Sequence, residues 1–342
     1  MDSAPNQQIS LPPDHRSTAG LLAEYYILAV IALALVALRA WVRLHLTKNW
    51  GWDDTCIVIA WMALLAGLVT IQLECNLGMG RHVIYLKDPV RDVLQMVKIN
   101  TMYQMINVIC ALVTKYSISL YILRIRSNRA IRWALAWLMF FMTLATIGAV
   151  VILAVACIPL YKLWTPEAPG ICLPPKSVYG VAYIHSGFTI VVDLCLTSAP
   201  VIILWDVKIK RGRKTLICGL LSLGLIATIS NALRNVYTES LTAPDMPYAI
   251  TNIAIVSILE VNIGIIAACI PACVPAFRPK KEKPAPVTNS FHDAKVSGNK
   301  ESGSKWSNHE EGTSSLSYAD LTSDTVALCE VKTPANVVTK AV

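Results

Sequence analysis

Seven apolar stretches, each long enough to cross a bilayer, lie between residues 21 and 277, and that count constrains the chain more than any single motif. A spanning helix needs about 20 mostly apolar residues to cover the roughly 30 Å hydrocarbon core. The run from Trp133 to Ala156 carries no charge at all. The expected spans are 21–43, 55–75, 98–123, 133–157, 177–205, 215–237 and 246–277, which makes the chain an all-α, polytopic seven-transmembrane helix bundle. Its first partner is the lipid bilayer. The formal net charge of +8 sits in short Lys and Arg blocks beside the spans rather than along one basic face, which argues against nucleic acid.

Those blocks set an orientation, because cytosolic loops are enriched in Lys and Arg. Arg124, Arg126, Arg129 and Arg132 follow the third span, and Lys208, Lys210, Arg211, Arg213 and Lys214 follow the fifth. Arg278, Lys280, Lys281 and Lys283 follow the seventh. All fall on one side, so the amino terminus is expected outside and the carboxyl terminus in the cytosol. Residues 1–20 form a short polar extracellular segment with Pro12, Pro13 and no apolar leader, 21–277 the membrane domain, and 278–342 a polar cytosolic tail expected to be disordered. The tail and the basic loops are the expected contacts for a cytosolic signalling partner.

Most of the ten cysteines read as small packing residues. Cys157 and Cys172 differ, because they flank the fourth-to-fifth loop on the expected outer side, where disulfides persist. A bridge between them is favoured over free thiols, with Cys75 as the competing partner, and it caps the mouth of the bundle. Metal-ligand spacing is absent, and no cofactor is expected.

Four ionisable residues interrupt the odd-numbered spans: Arg39, Lys115, Asp193 and Glu260. Counted from the outer helix ends they lie in one layer, roughly 21–27 Å deep. A charge at that depth costs at least about 2.5–3.5 kcal/mol, so such residues face inward and pair. The expectation is one charge-balanced buried network centred on Lys115 with Asp193 or Glu260, with Arg39 reaching toward the cytosolic interface. A structural glue is favoured over an ion or proton pathway.

Nearer the outer face a second polar group gathers. Arg81, His82, Asn100, Asn107, His185, Asn231 and Arg234 are the candidates for lining a small-molecule cavity, whereas Glu74 and Asn235 are expected to be wetted by headgroups. At the other face, Asp53 and Asp54 open the second span. Adjacent carboxylates can hold Mg²⁺ on a diphosphate, but a helix start favours Asp as a cap and dipole partner. Arg39, Arg43 or Arg124 then completes a cytosolic latch.

An ordered set of residues resembles the fungal rhodopsin-domain family of seven-helix integral membrane proteins. It comprises Arg39 and Arg43, Gly51-Trp52-Asp53-Asp54, Gly78-Met79-Gly80-Arg81-His82, and Lys115-Tyr116-Ser117 with Tyr121 and Arg124. Cys157, Pro159, Trp164 and Cys172 follow, then Asp193, Pro200, Trp205, Arg234, Glu260-Val261-Asn262, Cys269 and Pro271. The resemblance implies a receptor-like protein at the plasma membrane, of a lineage also found in secondary-metabolite gene clusters. It implies no known reaction. Retinal is not expected, since residues 246–277 contain no lysine for a Schiff base. A nonenzymatic role as sensor or pathway accessory is favoured over a membrane cyclase or isomerase of a lipophilic intermediate, using Asp193 or Glu260 as acid, and over a small-molecule transporter.

Overall fold

The computed structural model describes residues 18–204, 211–238 and 245–277. The amino-terminal segment to residue 17, the loop carrying Lys208 and Lys210, and the tail from 278 lie outside the described residues. Seven helices make the fold: α1 (Thr18–Trp41), α2 (Trp52–Leu77), α3 (Pro89–Ile125), α4 (Arg129–Ala154), α5 (Pro175–Leu204), α6 (Arg211–Thr238) and α7 (Met246–Cys273).

The helix ends follow local chemistry. α2 begins after Gly51, whose N–H donates to Asp54 Oδ2 at 3.0 Å, and its first turn carries Asp53 and Asp54 against the positive end of the helix dipole. It ends at Gly78, whose φ of +108° is a left-handed stop that glycine adopts without penalty. α3 starts on Pro89, where a missing N–H costs nothing. With 37 residues it is roughly 55 Å long, well beyond the hydrocarbon thickness. Its first nine residues carry Arg91 and Asp92, which a hydropathy reading assigns to the loop, so the helix begins nine residues before the expected span.

Among the described residues six segments are long and apolar enough to cross a membrane: Thr18–Leu46, Trp52–Leu77, Pro89–Ile125, Arg129–Ala154, Pro175–Ala199 and Met246–Cys273. α6 has the length, but Ser222, Thr228, Ser230, Asn231, Arg234 and Asn235 dilute its described apolar run. It packs between α5 and α7 and completes the bundle. α7 is the central helix: 61% of its most apolar window is buried, against 28% for α1, α2, α4 and α5. Leu21, Tyr25 and Val36 of α1, Ile57, Leu64 and Ile71 of α2, and Ile250, Ile258 and Ile265 of α7 share one core. The small side chains of Ala29, Ala32 and Ala60 let these backbones approach, which is how helices pack where lipid is as apolar as the core. Trp133, Trp137, Phe140, Phe141 and Leu144 of α4 face outward, as side chains in contact with lipid should.

Two short strands, β1 (Cys157–Ile158) and β2 (Ile171–Cys172), pair antiparallel with Cys157 opposite Cys172, and a disulfide joins them. Lys162 Nζ ties the loop between them by donating to the carbonyls of Ala168 (3.1 Å) and Gly170 (2.7 Å). Gly170 is required at its place, because its φ is +152° and a Cβ there would meet the Ile158 carbonyl at 2.5 Å. Lys98 of α3 lies over the Trp164 ring at 5.6 Å and holds this cap to the helix.

At the same end, the α2–α3 connection is stapled to α1 and α7. Thr18 Oγ1 donates to the Met79 carbonyl at 2.8 Å, and the Gly80 N–H donates to the Pro247 carbonyl at 3.0 Å. His82 pairs with Asp245 and stacks on Tyr248.

The bridge closes a loop with a sequence separation of 15, for which chain entropy gives about 3 kcal/mol. Cys157→Ser is therefore expected to lower the thermal unfolding midpoint in detergent. Cys172→Ser should match it, and the double variant should add nothing more. Reductant should shift the parent protein alone.

Candidate functional site

At the end opposite the cap, three helices converge on two carboxylates. Arg39 lies on α1 and Arg43 one turn later, Asp53 and Asp54 in the first turn of α2, and Arg124 in the last turn of α3. Arg39 Nη2 donates to Asp53 Oδ2 and Arg39 Nε to Asp54 Oδ1, both at 2.8 Å, while Nη1 reaches the Ala268 carbonyl of α7 at 2.7 Å. Every guanidinium nitrogen of Arg39 is therefore engaged, which is why it tolerates 1% exposure. Arg124 Nη1 donates to Asp53 Oδ1 at 2.9 Å and its Nη2 to the Asn49 carbonyl at 2.5 Å. Arg43 stands 3.4–3.6 Å from both carboxylates, and the Tyr121 ring lies beneath the guanidiniums of Arg39 and Arg43. Ser117 Oγ caps the arrangement by donating to the Asp53 carbonyl at 2.7 Å. Glycine at 51 leaves room for it, because a Cβ would come within 2.9 Å of Arg124 Nη1.

This clamp corrects the expectation of one network containing all four deep charges. Arg39 neither joins Lys115, Asp193 and Glu260 nor reaches toward the interface, because the adjacent Asp53 and Asp54 carboxylates meet it first. Arg124, a latch candidate counted among the charges after the third span, lies in the last turn of α3 and is part of the clamp.

The other three deep charges form a second group. Lys115 Nζ of α3 pairs with Asp193 Oδ1 of α5 at 3.1 Å. Glu260 of α7 accepts from Asn231 Nδ2 at 3.2 Å and lies 3.4 Å from Arg234 Nη1, both on α6. Asn231 Oδ1 in turn accepts from Ser186 Oγ of α5 and from Arg234 Nη2 at 3.3 Å. Glu260 and Arg234 lie within electrostatic reach of Asp193, so two cations face two carboxylates across four helices.

Above this group, toward the cap, is a cavity of about 700 Å³. Helices α3 to α7 form its sides, and Cys157, Lys162, Leu163, Pro166 and Cys172 roof it. Of the sequence candidates, Asn100, Asn107, His185 and Arg234 line it. His185 is buried and lies 3.3 Å from Thr146 Oγ1. Asn231 sits behind Arg234, while Arg81 and His82 are not on the wall. His82 is spent on Asp245, because the turn that follows Gly78 points it at the start of α7. Two residues expected at the headgroups are elsewhere: Asn235 lines the cavity, and Glu74 is fully buried beside Asn100.

Tyr103, Gln104 and Lys162 also line the cavity and were not among the sequence candidates. Tyrosine in an apolar span reads as packing. The available signal was helical spacing, since residues 100, 103, 104 and 107 share one face.

The model of a family described as the fungal rhodopsin domain matches residues 38–279, a span that holds the clamp, the second charge group and the cavity. A "SAT4 family membrane protein" of Emericella nidulans is 25% identical over 248 residues, covering 70% of this chain and 58% of that protein. The chain thus spans less than two thirds of that relative's length. No solved structure matches it.

The Lys115–Asp193 contact carries its own test. Either Lys115→Asp or Asp193→Lys leaves a like-charge pair buried, at a cost of about 3–5 kcal/mol, and should abolish accumulation of folded protein. The double reversal should restore a monodisperse species in size-exclusion chromatography. Failure to rescue would separate the two residues energetically.

Proposed function

The chain belongs to the fungal rhodopsin domain family of membrane proteins, and from that premise we propose that it is a receptor-like sensor whose small-molecule ligand enters the capped cavity. The observation that carries this reading is the cavity itself. Its 700 Å³ falls in the range of small-molecule sites, and apolar walls with a few convergent amides and one guanidinium are what such sites present. The Cys157–Cys172 disulfide supports placing that mouth on the oxidising, non-cytosolic side, with the clamp facing the cytosol; the plasma membrane is the location that the family resemblance implies.

The relay runs along α3. One helix carries Asn100, Tyr103 and Asn107 on the cavity wall, Lys115 in the second charge group and Arg124 in the clamp. A ligand that shifts the cavity end of α3 is thereby linked to Asp53 and Asp54 at the far end. The cytosolic partner would meet Arg126, Arg129 and Arg132 beside that clamp, together with the Lys208 and Lys210 loop and the tail. A membrane cyclase using Asp193 or Glu260 as acid has less support, because each carboxylate is engaged by a cation and neither is on the cavity wall.

Deleting the gene in its host, beside wild-type and cavity-filling Ala182→Phe alleles, separates the roles. A sensor predicts an unchanged metabolite profile under fixed induction, with the response to conditioned medium lost on deletion and weakened by Ala182→Phe. Accumulation of a precursor that the wild type converts would instead identify an enzyme. Finished product trapped in cells would identify a transporter.

A further inference from the structure

The charged side chains on the cavity wall are both cationic: Lys162 in the cap and Arg234 on α6. Among the described lining residues there is no Asp or Glu. The nearby carboxylates of Glu74 and Glu260 are buried off the wall. Arg234 is incompletely satisfied, since its contacts to Glu260 and Asn231 are 3.4 and 3.3 Å, longer than the 2.7–2.9 Å typical of a charge-assisted hydrogen bond. Beside it, within electrostatic reach, stands Tyr103. Tyr103 is among the lining residues but only 4% exposed, its ring edge packs beside Gly67 of α2, and its hydroxyl is buried behind the wall.

Resting on the sensor reading of this cavity, we propose that the site takes an amphipathic monoanion. Its anionic group accepts from Arg234, and its apolar body lies against Ile152, Leu153, Val178 and Ile253. A guanidinium presents its N–H donors in the planar fork that a carboxylate, or a phosphodiester, accepts. A cationic amphiphile would face two like charges in a water-poor enclosure, which disfavours it. Anion binding also draws Arg234 away from Glu260, and so reaches the Asn231 and Ser186 contacts that join α5 to α6.

The test uses the full-length protein in phosphatidylcholine nanodiscs, with lipid-only discs subtracted, and three labelled probes that differ only in the head: decanoate, decanol and decylamine. Decanoate should bind saturably, about tenfold more tightly than either of the others, the ratio expected for one charge-assisted contact. Arg234→Gln should raise the decanoate Kd about tenfold and should leave the decanol Kd unchanged. Ala182→Phe, which fills the cavity from an exposed position on α5, should abolish saturable binding of every probe. Equal or tighter binding of decanol or decylamine, blocked by Ala182→Phe, would overturn the anion proposal and leave the sensor cavity standing. No saturable binding of any probe would overturn both. Replacing about one-fifth of the lipid by phosphatidylglycerol identifies the source: a raised decanoate Kd assigns the site to a bilayer lipid headgroup, and an unchanged one to a free acid.

Discussion

Two neighbouring carboxylates cannot be carried into a bilayer-spanning bundle unless cations surround them, and the rest of this fold is arranged around that requirement. Asp53 and Asp54 would repel each other and lose hydration together, a penalty of several kcal/mol per ion. Arg39, Arg43 and Arg124 meet that penalty from α1 and α3, and Arg39 extends the arrangement to the Ala268 carbonyl of α7. The register of four helices at this end is therefore set by directional polar contacts. Apolar packing alone sets it less sharply, because lipid tails compete equally for apolar side chains.

The two ends of the bundle differ in kind. The clamp end is closed and fully paired at Arg39. The cap end is held by a disulfide, by the Lys162 contacts to backbone carbonyls and by the His82–Asp245 pair, and it encloses space. Between them the Lys115–Asp193 and Arg234–Glu260 contacts fix α3, α5, α6 and α7 against one another. Because α3 is continuous through all three regions, movement at Asn100 or Tyr103 has a rigid route to Arg124. A cavity at one end and a salt-bridge cluster at the other, joined by one continuous helix, is the geometry on which the proposed relay rests.

Hydropathy made the bundle legible, and compartment logic made the Cys157–Cys172 bridge legible. Helical spacing and desolvation narrowed the partner of Lys115 to Asp193 or Glu260, and that of Asp53 and Asp54 to Arg39, Arg43 or Arg124, since a deep charge needs a partner and the candidates are few. What depth could not give was the azimuth of each side chain around its helix. Arg39 and Lys115 fall at similar depths, yet Arg39 turns to α2 and Lys115 to α5. The same gap misplaced Glu74, which lies at a helix end by sequence but packs inward, and His82, whose direction depends on the turn after Gly78. Tyr103 escaped notice because an aromatic ring in an apolar span carries no sequence mark of a buried, unpartnered hydroxyl.

The central claim is that the arginine clamp fixes helix register, and a double-mutant cycle between Arg39→Met and Asp54→Asn tests it most directly, read as unfolding free energy of the purified protein in one detergent. The account predicts that each single variant is strongly destabilised and that the pair is coupled by about 2–3 kcal/mol. Additive effects, within about 0.5 kcal/mol, would contradict it and return the register of the bundle to apolar packing.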